Sequence, residues 1–223
     1  GGIDGWKEER HGNTAAFLRE GLSCFSIDGP GTGECPVMAG PNGERVFSAA
    51  LDCLVKHPKV DAKRIAVAGS SFGGCCATKV AHVEAERLAG AVNWGGGAHY
   101  FLEPEWLRDS QHASSYLFNL SETRARIFGL KTVDELIGVA GSMSLLKQGW
   151  LDRPSAPMLV VNGKKDEQVP IDDLYLLLEH GSPKEARVFA DAGHMGKSPD
   201  ALHVVTAWLK KMSDQPSWGA SGP

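Results

Sequence analysis

A serine lies between two glycines at the end of a short apolar run, in the segment Gly69-Ser70-Ser71-Phe72-Gly73. The segment reads G-x-S-x-G, the pattern of a strand-to-helix turn so sharp that small residues must flank the central serine. The run Ile65 to Ala68 predicts the strand, and Cys75 to Val80 predicts the helix. Ser71 is therefore predicted to be a nucleophile. Such a motif also arises by chance in a chain with 27 glycines, so it needs partners elsewhere in the sequence.

A serine nucleophile needs a base to accept its proton and a carboxylate to hold that base in the right tautomer. Among the eight histidines, His194 is the strongest candidate for the base, because the glycine-flexed loop Ala192 to Gly196 directly follows a predicted strand. His99 follows the run Gly95 to Gly97, and it either faces the pocket or packs against neighbouring residues. The remaining histidines fall in predicted helices or at their ends and are predicted to be surface or packing residues: His11, His57, His82, His112, His180 and His203.

Two adjacent acids lie in the loop from Asn162 to Pro170, directly after another predicted strand. We predict that Asp166 is the carboxylate partner of the histidine, with Glu167 as the alternative. Asp166 can also be interpreted as a helix cap or as a solvated side chain. The chain order Ser71, Asp166, His194 is the order that α/β-hydrolases use.

The oxyanion that forms when a serine attacks a carbonyl needs backbone N–H donors, each lowering the barrier by about 3 kcal/mol. Phe72 directly follows the nucleophile and is the expected first donor. The turn Gly1-Gly2-Ile3 looks like the loop that supplies the second donor in this fold, which makes Ile3 the expected second donor.

Alternation of apolar runs with helical patterns predicts a mostly parallel sheet with helices on both faces. The predicted strands are Leu22 to Ile27, Ile65 to Ala68, Leu88 to Trp94, Met158 to Asn162 and Ala186 to Ala190. The predicted helices run from Lys7 to Arg19, with Phe17 and Leu18 inward, from Val46 to Lys56, after Ser71, from Ile171 to His180 and from Asp200 to Met212.

Residues 98–152 show helical periodicity without a strand, and they are rich in aromatic residues: Tyr100, Phe101, Trp106, Tyr116, Phe118, Phe128 and Trp150. We predict that this stretch is an inserted helical cap that closes over Ser71 and supplies apolar walls for a planar substrate. Alternatively, the aromatics only bury the cap on the core. Residues expected to line the substrate pocket are Gly2, Asp4, His99, Trp106 and Trp150. The predicted domains are a core of residues 1–97 and 153–212, the cap at 98–152 and a flexible tail at 213–223.

Composition limits the classes of partner. With 223 residues and 42% hydrophobic content, one large domain is expected, and the net charge of −4 lacks the basic excess that indicates nucleic acid binding. No apolar run approaches the roughly 18 residues of a membrane span.

The five cysteines form no C-x-x-C pair, and most fall in predicted core elements, so we expect reduced thiols and a cytoplasmic location, with endosomes or vesicles as the alternative.

A glycine-rich loop, Asp28 to Glu34, looks like a phosphate cradle but matches neither G-x-x-x-x-G-K-[ST] nor G-x-G-x-x-G. We therefore expect no nucleotide site at this loop. We also expect no metal and no other cofactor.

Together, several segments resemble the α/β-hydrolases that include 2,6-dihydroxypseudooxynicotine hydrolase and the FrsA-like proteins. The segments are Gly1 to Glu9, Ile27 to Glu34, the Ser71 turn, the Asp166 loop and Gly193-His194. Within that group the chain is most similar to fungal yellowish-green-type pigment hydrolases, which shorten a heptaketide naphthopyrone to tetrahydroxynaphthalene for melanin. The resemblance implies a secondary-metabolism enzyme with an aromatic polyketide substrate.

Three functions remain open at this stage: a serine-dependent carbon–carbon hydrolase, a carboxylesterase with the same triad, and a non-catalytic interaction protein. The five predicted strands are fewer than the roughly eight of this fold. We therefore expect the first strands and an N-terminal helical region to precede Gly1 in a longer polypeptide. The alternative is an edge covered by a partner subunit, as in a homodimer.

Overall fold

The computed structural model describes residues 1–117 and 119–214. Four strands form one parallel sheet in the order β1-β2-β3-β4. The strands are β1 (Ala66–Ser70), β2 (Gly90–Trp94), β3 (Met158–Gly163) and β4 (Glu185–Phe189). Because parallel strands all end at the same edge of a sheet, the loops that follow β1, β3 and β4 meet there.

Eight α-helices accompany the sheet within the described residues. They are α1 (His11–Arg19), α2 (Arg45–Leu54), α3 (Phe72–Val83), α4 (Pro104–Asp109), α5 (Leu120–Ile127), α6 (Val133–Ala140), α7 (Asp172–Glu179) and α8 (Pro199–Asp214). None of these helices is long and apolar enough to cross a membrane. Helix α8 continues two residues into the predicted tail, and residues 215–223 of that tail lie outside the described residues.

Helices cover both faces of the sheet, as the alternating sequence predicts. Ala91 and Val160 belong to an apolar cluster with Leu174 and Leu177 of α7. The next residues along the two strands, Val92 and Val161, belong to a second cluster with Val205, Trp208 and Leu209 of α8. Successive side chains of a strand point to opposite faces, so β2 and β3 are buried on both sides and consist almost entirely of apolar residues.

The predicted strand from Leu22 to Ile27 does not form. These residues lie beside the free edge of β1 across an open groove of about 260 Å³, lined by residues of both segments. A strand requires hydrogen bonds to a neighbour, and no strand of the described residues pairs with this segment. Cys24, which lies within the predicted strand, is therefore exposed, and Phe25 is 61% exposed.

Two further expectations about side-chain burial are wrong. Leu18, predicted to point inward, is 57% exposed, whereas Phe17 packs against the cluster around α8. The helix α1 has only nine residues, and one short helix can turn a single narrow face to the core. Cys53 on α2 is exposed as well.

The glycine-rich loop after Ile27 has an internal structural role. The carboxylate of Asp28 accepts hydrogen bonds from the backbone N–H of Lys7 (2.7 Å), the Nζ of Lys7 (3.0 Å) and the backbone N–H of Glu34 (3.1 Å). Burial raises the pKa of Asp28, but the hydrogen bonds from Glu34 and Lys7 outweigh it and lower the pKa below its usual value. Asp28 thus fastens the segment before α1 to the loop.

Residues 98–152, here called the cap segment, contain α4, α5, α6 and short 3₁₀ turns, and no strand among the described residues. Two of the helices have an N-cap residue whose side chain accepts a hydrogen bond from a backbone N–H: Asn119 caps α5 and Thr132 caps α6. The segment has an apolar cluster of its own that includes Leu107 and Leu136 and extends to Val169 of the core. Phe118 lies outside the described residues.

Candidate active site

The turn between β1 and α3 holds Ser71 in a strained conformation. Its φ of 55° and ψ of −124° lie in a region that a non-glycine residue rarely adopts. The flanking residues must be glycine, because a Cβ on Gly69 would overlap the carbonyl of Gly73, and a Cβ on Gly73 would lie 2.7 Å from the oxygen of Gly1. This geometry is that of the sharp turn which the G-x-S-x-G pattern predicts.

The side chain of Ser71 is hydrogen-bonded to an imidazole, and that imidazole to a carboxylate. The Oγ of Ser71 lies 2.8 Å from the Nε2 of His194, and the Nδ1 of His194 lies 2.7 Å from the Oδ2 of Asp166. A ring protonated at Nδ1 donates to the carboxylate and leaves Nε2 free to accept the serine hydroxyl proton. The structure thus brings together the three residues that the sequence singles out.

The Asp166 carboxylate is completely buried and accepts three further hydrogen bonds. Its Oδ1 accepts from the backbone N–H of Gln168 (2.8 Å) and Val169 (3.2 Å), and its Oδ2 accepts from the Nδ2 of Asn162 (2.9 Å). These hydrogen bonds stabilise the buried negative charge of the carboxylate. They also fix the direction in which the carboxylate faces His194.

Asn162, at the end of β3, joins the acid loop to the histidine loop, and sequence reasoning missed it. Besides donating to Asp166, its Oδ1 accepts from the backbone N–H of Met195 (2.9 Å). Met195 itself has a positive φ of 63°, and its carbonyl accepts from the indole of Trp94 (2.6 Å). A polar residue closing a buried apolar strand is the signal in the sequence that could have identified Asn162.

The alternative candidates for the acid and the base lie elsewhere. Glu167 is exposed and accepts hydrogen bonds from Ser114 and Ser115. His99 is buried, with Nδ1 2.9 Å from the Oγ of Ser144 and Nε2 3.6 Å from Glu103. In the described part of the chain, neither side chain is hydrogen-bonded to Ser71, His194 or Asp166.

Two backbone N–H groups, predicted to bind an oxyanion, lie near the serine. Phe72 is the first residue of α3, where the N–H has no partner within the helix. The turn that carries Ile3 is attached to the same place, because Gly73 donates to the carbonyl of Gly1 (2.8 Å) and a Cβ on Gly2 would lie 4.0 Å from the Oγ of Ser71. Within the described part of the chain, neither the Phe72 nor the Ile3 N–H donates a hydrogen bond.

A narrow cavity separates Ser71 from the cap segment. Its lining is mainly apolar and includes Phe101, Leu120 and Phe128 of the cap segment, with Phe72 and Cys75 of α3. The rings of Phe72 and Phe128 meet edge to face with centroids 6.1 Å apart. The cap segment therefore faces the serine, and two of its predicted aromatics line the space between them.

The residues expected to line the pocket are distributed differently. Gly2 lies beside Ser71, and Asp4 accepts from the hydroxyl of Tyr116 at 2.8 Å, which attaches the Gly1-Gly2-Ile3 turn to the cap segment. Burial, together with Asp4, raises the pKa of Tyr116 to about 12. Trp106 and Trp150 do not line the cavity beside Ser71: Trp106 donates to the carbonyl of Gln168, and Trp150 stacks on Arg153 at 4.1 Å. His99 is also outside that lining.

Two thiols near Ser71 are unsuited to act as nucleophiles. Burial raises the pKa of Cys75 well above its usual value and that of Cys76 to about 12. A thiol is nucleophilic as the thiolate, so both side chains remain unreactive near neutral pH. The serine is the group positioned for attack at this end of the sheet.

Comparisons with known proteins show what the chain is similar to. Residues 39–215 match the prolyl oligopeptidase family. The uncharacterized peptidase YtmA of Bacillus subtilis is 26% identical over 94% of this chain and 80% of its own length. The esterase FrsA of Photorhabdus laumondii is 27% identical over 70% of this chain and 37% of its own length.

Among solved structures, that of 2,6-dihydroxy-pseudo-oxynicotine hydrolase aligns with a TM-score of 0.81 at 24% identity, over 96% of this chain and 59% of that one. The α/β-hydrolase fold predicted from the sequence is confirmed. The chain spans little more than a third of FrsA and about three fifths of the aligned hydrolase.

Proposed function

The chain belongs to the prolyl oligopeptidase family, a family of α/β-hydrolases, and we propose that it is a serine hydrolase with Ser71, His194 and Asp166 as its catalytic triad. The observation that carries the proposal is the continuous hydrogen-bonded chain from the Ser71 Oγ through His194 to a fully buried carboxylate. A serine in a strained turn with free N–H groups beside it supports the same reaction.

In the first half of the proposed reaction, the Ser71 Oγ attacks a carbonyl carbon while the Nε2 of His194 accepts the hydroxyl proton. Asp166 stabilises the resulting imidazolium and keeps its ring in place. The oxygen of the tetrahedral intermediate, now negatively charged, accepts hydrogen bonds from the N–H groups of Phe72 and Ile3. Collapse of the intermediate breaks the bond to the leaving group, which takes the proton from His194.

In the second half, water replaces the leaving group. His194 accepts a proton from the water as its oxygen attacks the acyl carbon bound to Ser71, and then returns that proton to the serine. The released product is a carboxylic acid, and the enzyme regains its starting state. One water is consumed for each bond that is broken.

For the substrate, we propose an aromatic polyketide ketone cleaved at a carbon–carbon bond, in the manner of a retro-Claisen reaction. The leaving group is then a stabilised carbanion, which the imidazolium of His194 protonates at carbon. The similarity of the chain to fungal pigment hydrolases, within the group that its motifs resemble, supports this choice, with a heptaketide naphthopyrone shortened towards tetrahydroxynaphthalene. The aromatic side chains that line the cavity can pack against a planar ligand, for which the cavity, about 20 Å³ in this structure, has to widen.

The second candidate is a carboxylesterase with the same triad, in which the leaving group is an alkoxide. The name of the relative FrsA, an esterase, favours it. A non-catalytic interaction protein is the third, and the intact hydrogen-bonded chain at Ser71 counts against it. A cytoplasmic location and a homodimer also stay predictions from the sequence.

The test is an assay of the purified protein on a naphthopyrone ketone and on p-nitrophenyl acetate, with Ser71→Ala as the control. Turnover of the ketone that Ser71→Ala abolishes supports the carbon–carbon hydrolase, and turnover of the ester alone supports the carboxylesterase. No turnover of either compound by the wild-type protein, or equal turnover by the variant, would contradict the proposed function.

A further inference from the structure

A buried cation lies in the wall of the cavity that contains Ser71. Arg124, on α5 of the cap segment, is 6% exposed and lines this cavity. Its Nη1 donates to the Oγ of Ser110 at 2.9 Å and its Nη2 to the carbonyl of Gln168 at 2.5 Å. The guanidinium carbon lies 5.9 Å from the ring centroid of Phe101. A guanidinium has five N–H donors, so these two bonds leave donors for a ligand.

No carboxylate of the described residues lies within 4.0 Å of the Arg124 guanidinium. Its two hydrogen-bond acceptors are a neutral hydroxyl and a neutral carbonyl, which do not neutralise the charge. Burying a cation without an anion is costly, and the usual arrangement is a paired one. Lys79 shows that arrangement in the same molecule, because its buried ammonium lies 3.1 Å from the carboxylate of Glu44.

The arginine remains charged in spite of its burial. Desolvation lowers the pKa of Arg124 to about 10, and Asp166 and other acids at longer range raise it. A group with that pKa is a cation at neutral pH. The cavity beside the proposed nucleophile therefore has apolar walls and one positive charge.

We propose that Arg124 binds an anionic oxygen of the substrate, a carboxylate or an ionised phenol or enol, and thereby selects acidic aromatic compounds. The proposal rests on the proposed function, since it assigns the substrate class of the same site. The ligand anion would supply the charge partner that the described residues lack, and the planar guanidinium can donate two parallel hydrogen bonds to it. The aromatic side chains of the lining would pack against the rest of the ligand once the cavity, about 20 Å³ in this structure, widens to admit it.

A purely structural role for Arg124 makes a different prediction. Its bond to the carbonyl of Gln168 attaches α5 to the loop of Asp166, because the N–H of Gln168 donates to that carboxylate. Trp106 donates to the same carbonyl at 3.1 Å, so it is a matched control that shares this attachment without the charge. Loss of the attachment would disturb all ligands alike, whereas loss of the charge would disturb only anions.

The experiment measures binding of two matched aromatic probes, 1-naphthoate and the neutral 1-naphthamide, by isothermal titration calorimetry. We expect the wild-type protein to bind 1-naphthoate about tenfold tighter than 1-naphthamide or better. Arg124→Met should abolish this preference, Arg124→Lys should retain part of it, and Trp106→Phe should leave it unchanged. Circular dichroism melting of each variant establishes that it is folded.

Several results would overturn the inference. They are a wild-type protein that does not prefer 1-naphthoate, an Arg124→Met variant that keeps the preference, or an Arg124→Met variant in which both probes lose affinity equally. Binding of the probes does not require turnover, so this outcome is separate from that of the activity assay. If the protein hydrolyses p-nitrophenyl acetate, 1-naphthoate should inhibit that hydrolysis competitively, which would place the probe in the Ser71 cavity. Noncompetitive inhibition would contradict the inference.

Discussion

Two buried aspartates follow β3, and they bind different kinds of group. Asp166 lies in the loop and Asp173 in the first turn of α7, and both side chains are almost inaccessible to solvent. Asp166 accepts from the imidazole of His194 as well as from backbone and amide donors. Asp173, among the described residues, accepts from the main chain alone, at the four consecutive N–H groups of residues 98–101.

The difference shows that the partner, and not the burial, indicates the role of a buried carboxylate. A carboxylate facing an imidazole can stabilise its protonated form during a reaction. A carboxylate that faces only backbone N–H groups holds a chain segment in place, here the start of the cap segment where the chain leaves β2. We therefore expect substitution of Asp166 to affect turnover and substitution of Asp173 to affect the free energy of unfolding.

The largest effect is expected for the proposed nucleophile. Ser71→Ala should lower kcat by roughly 10⁴-fold or more, because what remains comes only from binding and from the oxyanion donors. The free energy of unfolding should change by less than about 0.5 kcal/mol, since the variant residue keeps the same backbone and loses only a hydroxyl. Steady-state kinetics and urea unfolding measure the two quantities. A variant that retains a few per cent of the activity would show that Ser71 is not the nucleophile.

Asp166→Asn tests the first half of the comparison. The amide can hold the ring of His194 in the wrong tautomer and cannot stabilise the imidazolium, so kcat should fall by about 10³- to 10⁴-fold. The exposed neighbour Glu167 supplies the control, since Glu167→Gln should leave kcat within about twofold of the wild type. Equal losses in the two variants would remove the distinction between the neighbouring acids.

Asp173→Asn tests the second half. The amide replaces an acceptor by a donor that faces a backbone N–H, so the free energy of unfolding should fall by about 1–3 kcal/mol. Turnover by the folded fraction should stay within about tenfold of the wild type. Asp172→Asn, at the exposed residue next to it on α7, should be neutral. Turnover is measured at a temperature well below the melting points of both variants. If Asp173→Asn then lost as much activity as Asp166→Asn, the two aspartates would not differ in role.

The smallest expected effect is a dependence of stability on pH. Burial raises the pKa of Asp173 above its usual value, although the four N–H groups oppose this shift. The folded state then binds the proton more tightly than the unfolded state, so this group's contribution to stability is present below its unfolded pKa and is lost as pH rises through its folded pKa.

The stability difference between the wild type and Asp173→Asn should accordingly shrink as pH rises from about 4, the usual pKa of an aspartate, through the raised pKa of Asp173 in the folded state. Urea unfolding of both proteins at a series of pH values measures this slope. A difference that grows with pH would mean that the pKa of Asp173 is lowered in the folded state.

The sequence predicted what depends on local pattern. Four strands and the loops that hold Ser71, Asp166 and His194 follow from apolar runs that end in glycine or acidic residues. Asp173 was missed because an aspartate in the first turn of a helix is common and its partners lie far away in sequence. The strand predicted at Leu22 to Ile27 failed for a related reason, since strand formation depends on a neighbour that local propensity does not reveal.

The cavity lining was the least predictable part. Helical periodicity in the cap segment identifies apolar faces but not which face turns towards Ser71. Phe101 and Phe128 line the cavity, whereas Trp106 and Trp150 pack elsewhere. Arg124 gave no signal at all, because an arginine on a helix is usually solvated and its burial depends on how α5 packs against the Gln168 loop.

The most direct test of the central claim is covalent labelling with diisopropyl fluorophosphate followed by intact-mass and peptide analysis. The serine oxygen attacks phosphorus, fluoride leaves, and the hydroxyl proton passes to His194. We predict one diisopropylphosphoryl group on Ser71, labelling of Asp173→Asn at close to the wild-type rate, and much slower labelling of Asp166→Asn. Ser70→Ala should label normally and Ser71→Ala should not label. Modification at Ser70, or wild-type protein left unlabelled, would contradict the account.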